Sequence, residues 1–243
     1  MIDVHCHLLP EVDDGSQDAE MTLEMARMAW DNGTEVIIAT PHCNIPGTPP
    51  NFPDRELYDR FLALRQLLLD EKLPLKVYAG AEVFCTPDFP EMLRAQRPLT
   101  LAGSRYLLTE FAFDEDSREI DQMLQAAAAE GYTPVLAHPE RYDAVQAEPG
   151  LLERWFCEGY VLQLNKDSVL GRLGMGARRA SHWALAHGLC HVIASDAHGV
   201  DRRTPTLASV RELISQQYAP ELARILLDEN PRRLLEDRPV LEA

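Results

Sequence analysis

The chain has 243 residues, 46% of them apolar, enough for one sizeable core and close to the length at which parallel α/β barrels form as single domains. Its 39 acidic and 23 basic side chains give a formal charge of −16, a field that repels nucleic-acid backbones, anionic membranes and other polyanions. Nucleic acid is thereby excluded as a partner, and a phosphate-bearing substrate requires local positive charge from metal ions or a few well-placed arginines.

In chain order, the N-terminus enters Ile2-Asp3-Val4-His5 with no basic segment, signal-type core or apolar stretch long enough to cross a bilayer. A cytoplasmic protein without direct membrane insertion is expected. Short β-rich runs then alternate with helical patterns to the end, as in βα units around a parallel sheet. The first run, Ile2 to His7, is followed by a helical stretch from Asp18 to Asn32. Its Met21, Leu23, Met25, Met28 and Ala29 turn toward a core, and Gly33 is placed to stop it. A second run, Glu35 to Thr40, leads into Asn44 to Pro53, whose Pro46, Pro49, Pro50 and Pro53 mark a structured loop placed to overhang a site. A helix over Asp54 to Glu71 comes next.

Runs at Leu75 to Val83 and Tyr106 to Phe111 precede a helix carrying Ile120, Met123, Leu124 and Ala127, with Ser117 as its expected cap and Gly131 as its stop. Three more runs, Pro134 to His138, Val161 to Asn165 and His191 to Asp196, bring the strands to seven. Helices are expected over Leu151 to Glu158, Ala177 to His187, Thr206 to Gln217 and Glu221 to Leu227, with a last start at Asn230-Pro231. No repeat, low-complexity tract or composition break divides the chain, so a single domain over residues 1–243 is expected.

Candidate metal ligands stand at the C-terminal ends of these runs: His5 and His7, His42, Glu82, Glu110, His138, and Asp196 with His198. The steps from His7 to His42, Glu82 to Glu110 and Glu110 to His138 are 35, 28 and 28 residues, near the ~30 residues of a βα unit, so the groups converge on one rim. Alternation along a strand places His5 and His7 on one side with Cys6 opposite, and Asp196 and His198 repeat that spacing. Glu82 and Glu110 each follow an apolar run, where an unpaired carboxylate is expensive to bury and a metal offsets the cost. Mixed nitrogen and carboxylate ligands suit manganese, iron or zinc. Eight such residues are too many for a single centre of four to six ligands. Asp13-Asp14-Gly15, taken alone, reads as turn or cap chemistry.

The five cysteines, Cys6, Cys43, Cys85, Cys157 and Cys190, have neither zinc-ribbon spacing nor a disulfide framework, and read as reduced thiols. A thiol-dependent tyrosine phosphatase needs an arginine six residues after its cysteine. Those positions hold Val12, Pro49, Glu91, Gln163 and Asp196, which rejects a cysteine nucleophile.

The run Ile2-Asp3-Val4-His5-Cys6-His7, then Asp13-Asp14-Gly15, His-Pro-Glu-Arg-Tyr at 138 to 142, and Ala194-Ser195-Asp196-Ala197-His198 resembles the polymerase-and-histidinol-phosphatase (PHP) superfamily. More narrowly, the chain is similar to the bacterial tyrosine-protein phosphatases of capsule and exopolysaccharide synthesis, the CpsB/YwqE type. The likeness extends through Tyr78-Ala79-Gly80-Ala81-Glu82, Arg105-Tyr106 and Asn230-Pro231-Arg232. The resemblance implies an α/β fold, a distorted seven-stranded (β/α)7 TIM-like barrel, with three divalent metal ions, commonly manganese. It implies hydrolysis of phosphotyrosine in the tail of a bacterial tyrosine kinase. It also raises Asp14 from cap to ligand. By motif, His5, His7, Glu82 and Asp196 hold one ion, Glu82, Glu110 and His138 a second, and Asp14, His42 and His198 a third, with Glu82 bridging. Arg141 and Arg203 carry over as phosphate clamps, with Arg202 the adjacent alternative.

In the expected reaction a metal-held hydroxide attacks phosphorus in line, the ions and Arg141 neutralise the equatorial oxygens, and no phosphoenzyme forms. Two enzyme readings compete: a small-molecule phosphomonoesterase of histidinol-phosphatase type, and an amidohydrolase, which the absence of lysine at the Glu82 and Glu110 strand ends weakens. A metal-stabilised scaffold with reduced turnover is the alternative from another class. One departure from the family bears on substrate choice: where relatives place basic residues just after His42, this chain has Cys43-Asn44-Ile45-Pro46-Gly47.

Overall fold

The computed structural model describes residues 1–242 of the chain. Strands β1 (Ile2–Cys6), β2 (Val36–Ala39) and β4 (Lys76–Ala79) pair in parallel as one sheet. A second parallel sheet runs β3 (His42–Cys43), β5 (Glu82–Phe84), β6 (Tyr106–Glu110), β7 (Thr133–Ala137), β8 (Val161–Asn165) and β9 (Val192–Ala194). Where the sequence predicts one strand over Leu75 to Val83, the structure has two, β4 and β5, and β3 follows β2 beyond the predicted run of Glu35 to Thr40. Pro41 supplies no N–H to the ladder at the break. Opposite it, a Cβ on Gly80 would lie 2.8 Å from Ile38 Cγ2, so the chains pass too closely there for any side chain. Hydrogen bonds still cross the break, from Gly80 N–H to Ala39 O (2.9 Å) and from Glu82 N–H to Pro41 O (3.1 Å).

Helices cover the strands. Asp18 caps α1 (Ala19–Asp31) by accepting from Met21 N–H, and Asp54 caps α2 (Arg55–Asp70) by accepting from Leu57 N–H. Helix α2 buries Leu57, Phe61, Leu64 and Leu68, one stripe at helical spacing. After α3 (Phe89–Gln96), helix α4 (Ser117–Ala129) buries the expected Ile120, Met123, Leu124 and Ala127. Its cap is Asp116 rather than Ser117, which is the first helical residue. The remaining helices are α5 (Asp143–Ala147), α6 (Leu151–Cys157), α7 (Lys166–Val169), α8 (Met175–Ala186), α9 (Ala208–Gln217), α10 (Pro220–Arg224) and α11 (Asn230–Leu235). Among the described residues no helix is long and apolar enough to cross a membrane.

An apolar cluster of Ile2, Val4, Ile38, Leu108, Val135, Val161 and Val192 draws side chains from six strands. The ladder extends past β9: Cys6 bridges Ala197 in parallel, Asp196 N–H donates to His5 O (2.8 Å) and His7 N–H to Ala197 O (2.9 Å). The last strand's exit is thus tied to the first.

His191, just before β9, is buried with its Nδ1 accepting from Leu162 N–H (3.0 Å) and its ring stacked 4.7 Å from Phe156. Burial pushes its pKa down to about 4. The unfolded chain takes up this proton near pH ~6.5, so the contribution is complete above that pH and declines as pH falls toward 4, by about 3 kcal/mol. Urea unfolding from pH 7 to 4 is expected to show a shallower loss for His191→Asn than for wild type. Parallel curves would refute it.

Candidate metal centre

Side chains from most of the strand ends meet here. His5 ends on the inner side near the exit of β1, and its Nε2 lies 3.2 Å from His7 Nε2, 3.1 Å from Glu82 Oε1 and 3.4 Å from Asp196 Oδ1. His5 and His7 meet on one side with Cys6 in the apolar cluster opposite, as alternation predicts, although the pairing with β2 shifts register between Asp3 and Cys6 and His7 lies beyond the strand. Asp196 lies just beyond β9 at φ 49°, and His138 sits at φ 36°. Both are in the left-handed region, which non-glycine residues occupy at a cost of about 1–3 kcal/mol and which Asp and His tolerate better than most.

Glu82, buried at the start of β5, touches four imidazoles: His5 (3.1 Å), His7 (3.2 Å), His42 (3.1 Å) and His138 (3.1 Å). Glu110 closes β6, with Oε2 3.4 Å from His42 Nδ1 and Oε1 3.5 Å from His138 Nε2. Asp14 reaches His42 Nε2 (3.4 Å) and His198 Nε2 (3.3 Å). His42 therefore stands between two groups, one nitrogen toward each.

Hydrogen bonding behind the rings decides what they present in front. His5 Nδ1 lies 2.8 Å from Gln163 Oε1, His7 Nδ1 lies 2.7 Å from Asp13 Oδ2, and His198 Nδ1 lies 3.1 Å from Asp196 O. Each partner is an acceptor, so each Nδ1 carries the proton and each Nε2 turns a lone pair inward. Those lone pairs face carboxylates. Buried His42 Nδ1, Glu82 Oε2, Glu110 Oε2 and His198 Nε2 have no hydrogen-bond partner among the described residues. Lone pairs converging on lone pairs are stable only around cations or shared protons. Three sets of ligand atoms satisfy the proximity a metal needs: His5, His7, Glu82 and Asp196; His42, Glu82 and Glu110; and His7, Asp14, His42 and His198. The first matches the expected grouping. In the second His42 stands where His138 is expected, and the third gains His7. This donor set fits divalent metal ions.

The same field acts on protons. Burial would lower the His5 pKa, but the charges of Glu82 and Asp196 outweigh it and carry it up to about 9. His42 is held up to about 11 in the same way, against burial, by Glu82, Asp14 and Glu110. Burial and then the Glu82 charge push Glu110 up to about 8. Metal and proton compete for these atoms, so binding releases protons.

Arg141 and Arg203 both attach to Asp196. Arg141 Nη1 lies 3.5 Å from Asp196 Oδ2 and its guanidinium sits 4.3 Å over the Phe113 ring. Arg203 pairs Nη2 with Asp196 Oδ1 and donates Nε–H to Asp196 O (3.2 Å). Arg202 is exposed and forms no side-chain bond among the described residues, so Arg203 is the one that reaches the site. The cysteines stand apart: Cys6, Cys43, Cys85 and Cys190 are buried, and burial pushes Cys43 up to about 12. A thiolate nucleophile is disfavoured beside His42.

Sequence reasoning leaves Asp13 as a turn residue, yet its Oδ2 accepts from His7 Nδ1 and from His42 N–H (2.8 Å), and its Oδ1 from Gly15 N–H (2.9 Å). It orients two ligands. Gln163 does the same for His5, and Asn165 Nδ2 donates to Asp196 Oδ2 (2.7 Å). Asp13→Asn is expected to lower metal affinity or kcat/KM about 10- to 100-fold with the fold retained, read by metal titration beside circular dichroism. Unchanged affinity and activity would reduce Asp13 to a turn residue.

Residues 1–236 match the family described as capsular polysaccharide synthesis, CpsB/CapC. The chain is 35% identical to the tyrosine-protein phosphatase YwqE of Bacillus subtilis, covering 99% of this chain and 93% of that protein. It is 30% identical to the tyrosine-protein phosphatase CpsB of Streptococcus pneumoniae, over 98% and 99%. A solved structure of YwqE and CpsB, described as metal-dependent tyrosine phosphatases, superposes with a TM-score of 0.91 at 34% identity, over 100% of this chain and 97% of that one. The chain belongs to the CpsB/CapC family of capsular polysaccharide synthesis.

Proposed function

We propose that this protein is a metal-dependent protein-tyrosine phosphatase, acting on the phosphotyrosine-bearing tail of a bacterial tyrosine kinase that controls capsule or exopolysaccharide synthesis. The observation that carries it is the convergence of four histidines and four carboxylates, with His138 against two of those carboxylates, beside two arginines in a chain of charge −16. Family membership at full length supports the substrate class. The protein is a single cytoplasmic domain whose nine strand segments, seven strands when β2 with β3 and β4 with β5 each count as one, close as a distorted barrel, a reading supported by the Cys6 to Ala197 bridge and by the apolar cluster drawn from six strands.

Three divalent ions, manganese with iron and zinc as alternatives, are held by His5, His7, Asp14, His42, Glu82, Glu110, His138, Asp196 and His198. Bound metal lowers the pKa of water toward ~7 and offers positive charge to phosphoryl oxygens. The chain's own groups do the rest. Glu82 keeps the ligand sets at one spacing, Asp13 and Gln163 fix the imidazole tautomers, and Arg141 and Arg203 turn toward the phosphate. Phe113 holds the Arg141 guanidinium in plane from one side. The phenolate leaving group, with a pKa near ~10, needs little proton donation.

The test joins metal analysis to rates on a phosphotyrosine peptide and on histidinol phosphate, with chelated and manganese-restored samples. Peptide turnover that falls on chelation and returns with manganese is expected. Arg141→Ala is expected to keep its metals and lose about 10²- to 10³-fold in kcat/KM. A fully metallated protein inactive on every aryl phosphate, but with a metal-dependent melting temperature, would replace catalysis by a scaffold role.

A further inference from the structure

The prolines of the segment between β3 and α2 build a groove that starts at two metal-site residues and leads away from them. One cavity, of about 460 Å³, is lined by Asp14 and His42 together with Val12, Ile45, Pro49 and Asn51. A second, of about 490 Å³, shares Val12, Pro49 and Asn51 with it and continues past Pro50, Phe52 and Leu57. The wall is fastened. Asn51 Nδ2 donates to His42 O (2.8 Å) and Val12 O (3.2 Å), while Asn44 N–H donates to Pro50 O (3.0 Å) and its Nδ2 to Phe84 O (3.1 Å). Both asparagines take left-handed backbone, at φ 50° and 67°, which asparagine tolerates better than most residues.

The second cavity has apolar sides and an acidic mouth. Glu11, Asp54 and Glu56 line it against a single cation, Arg60, which lies 3.0 Å from Glu56 and 3.9 Å from Glu11. Asp54 spends one oxygen on the α2 cap. The nearby Arg55 does not line this cavity and pairs with Asp59 at 3.7 Å. The glutamates are well exposed, at 68% and 75% of their side chains, and three carboxylates there face one arginine, so an incoming cation meets a net negative charge. A lysine or arginine suits this shape, with its methylene stem against Val12, Pro49, Pro50 and Phe52 and its head among the carboxylates. Neither Arg141 nor Arg203 lines either cavity, so phosphate binding and the groove use separate residues.

We infer that this groove is a substrate subsite that selects phosphotyrosine segments carrying a lysine or arginine within about three residues of the phosphotyrosine, the span of two adjoining cavities for an extended chain. The inference rests on the phosphotyrosine reading above. It also gives the chain's lack of basic residues after His42 a consequence, since the charge preference on this side of the site becomes cationic rather than anionic.

The test uses manganese-loaded full-length protein and peptides identical except for Lys, Ala or Glu at each of three positions on either side of phosphotyrosine, with p-nitrophenyl phosphate as a substrate that cannot reach the groove. On one flank, Lys is expected to exceed Glu about three- to tenfold in kcat/KM, mainly through KM, and the ratio is expected to shrink in 0.5 M salt. The double variant Glu11→Lys, Glu56→Lys is expected to invert the preference while leaving p-nitrophenyl phosphate turnover unchanged. Labelled peptides carrying phosphonomethyl-phenylalanine in place of phosphotyrosine read the same preference as Kd, independently of turnover. Active enzyme with equal rates and equal Kd for Lys and Glu at every position overturns the subsite alone. Absence of turnover on any aryl phosphate overturns the phosphatase reading, and the Kd series then still decides the groove.

Discussion

Glu82→Gln is expected to empty much of the metal centre and to lower kcat/KM by a factor on the order of 10³ or more, the equivalent of several kcal/mol of lost charge stabilisation. The reason is positional. Glu82 is fully buried and lies within 3.2 Å of nitrogens on His5, His7, His42 and His138, so it is a ligand in two of the three sets and touches two histidines of the third. Glutamine keeps the volume but removes the charge, and its amide donates hydrogens into a space lined with lone pairs. Glu110 has contacts at 3.4 and 3.5 Å to two histidines only, and Glu110→Gln is expected to cost less in both metal content and rate. Metal content per chain, measured beside phosphotyrosine-peptide turnover, separates the cases. A Glu82→Gln protein with a full metal complement and near wild-type rates would show that the site is not organised around this carboxylate.

Why the ligands are readable from sequence, and their supports are not, follows from the same geometry. A parallel βα repeat returns the chain to one rim at near-constant spacing, so His42, Glu82, Glu110 and His138 announce themselves by position. Asp14 does not: Asp13-Asp14-Gly15 has the chemistry of any turn, and only the family motif distinguishes it. Asp13, Gln163 and Asn165 lack even a motif, since an orienting residue is whichever side chain tertiary packing sets behind a ligand. The register of β1 is also invisible. Alternation correctly pairs His5 with His7, but the pairing with β2 shifts register between Asp3 and Cys6. Helix α3 is short and begins at Phe89-Pro90, and its Phe89, Met92 and Leu93 make a single turn of apolar pattern, too little to stand out from a loop. The break at Gly80 divides a strand, Leu75 to Val83, that composition alone presents as continuous, and β3 beyond Pro41 is too short to stand out.

That loop chemistry supplies the second large effect. Gly15→Ala is expected to damage the metal centre without touching a ligand atom. A Cβ at position 15 would fall 2.3 Å from His7 Cβ, 2.4 Å from His7 O and 3.0 Å from Asp13 Oδ1. Two of those neighbours cannot step aside, because one is backbone and the other roots a ligand. The loop must lift, and with it go the Gly15 N–H bond to Asp13, the Ser16 N–H bond to His7 O (3.0 Å) and the hold of Asp13 on His7 and His42. Overpacking of this kind costs about 1–3 kcal/mol, and a shift of ~1 Å at reacting groups costs about 10²-fold in rate. Activity is therefore expected to fall further than in Asp13→Asn, with a lower melting temperature that manganese restores only in part. Gly150→Ala is the control, since nothing lies within 4 Å of its added Cβ and its φ is −59°. If the two alanine variants melt alike and turn over phosphotyrosine peptide alike, the close approach of the Asp13-Asp14-Gly15 turn to His7 is not what holds the first ligands in place.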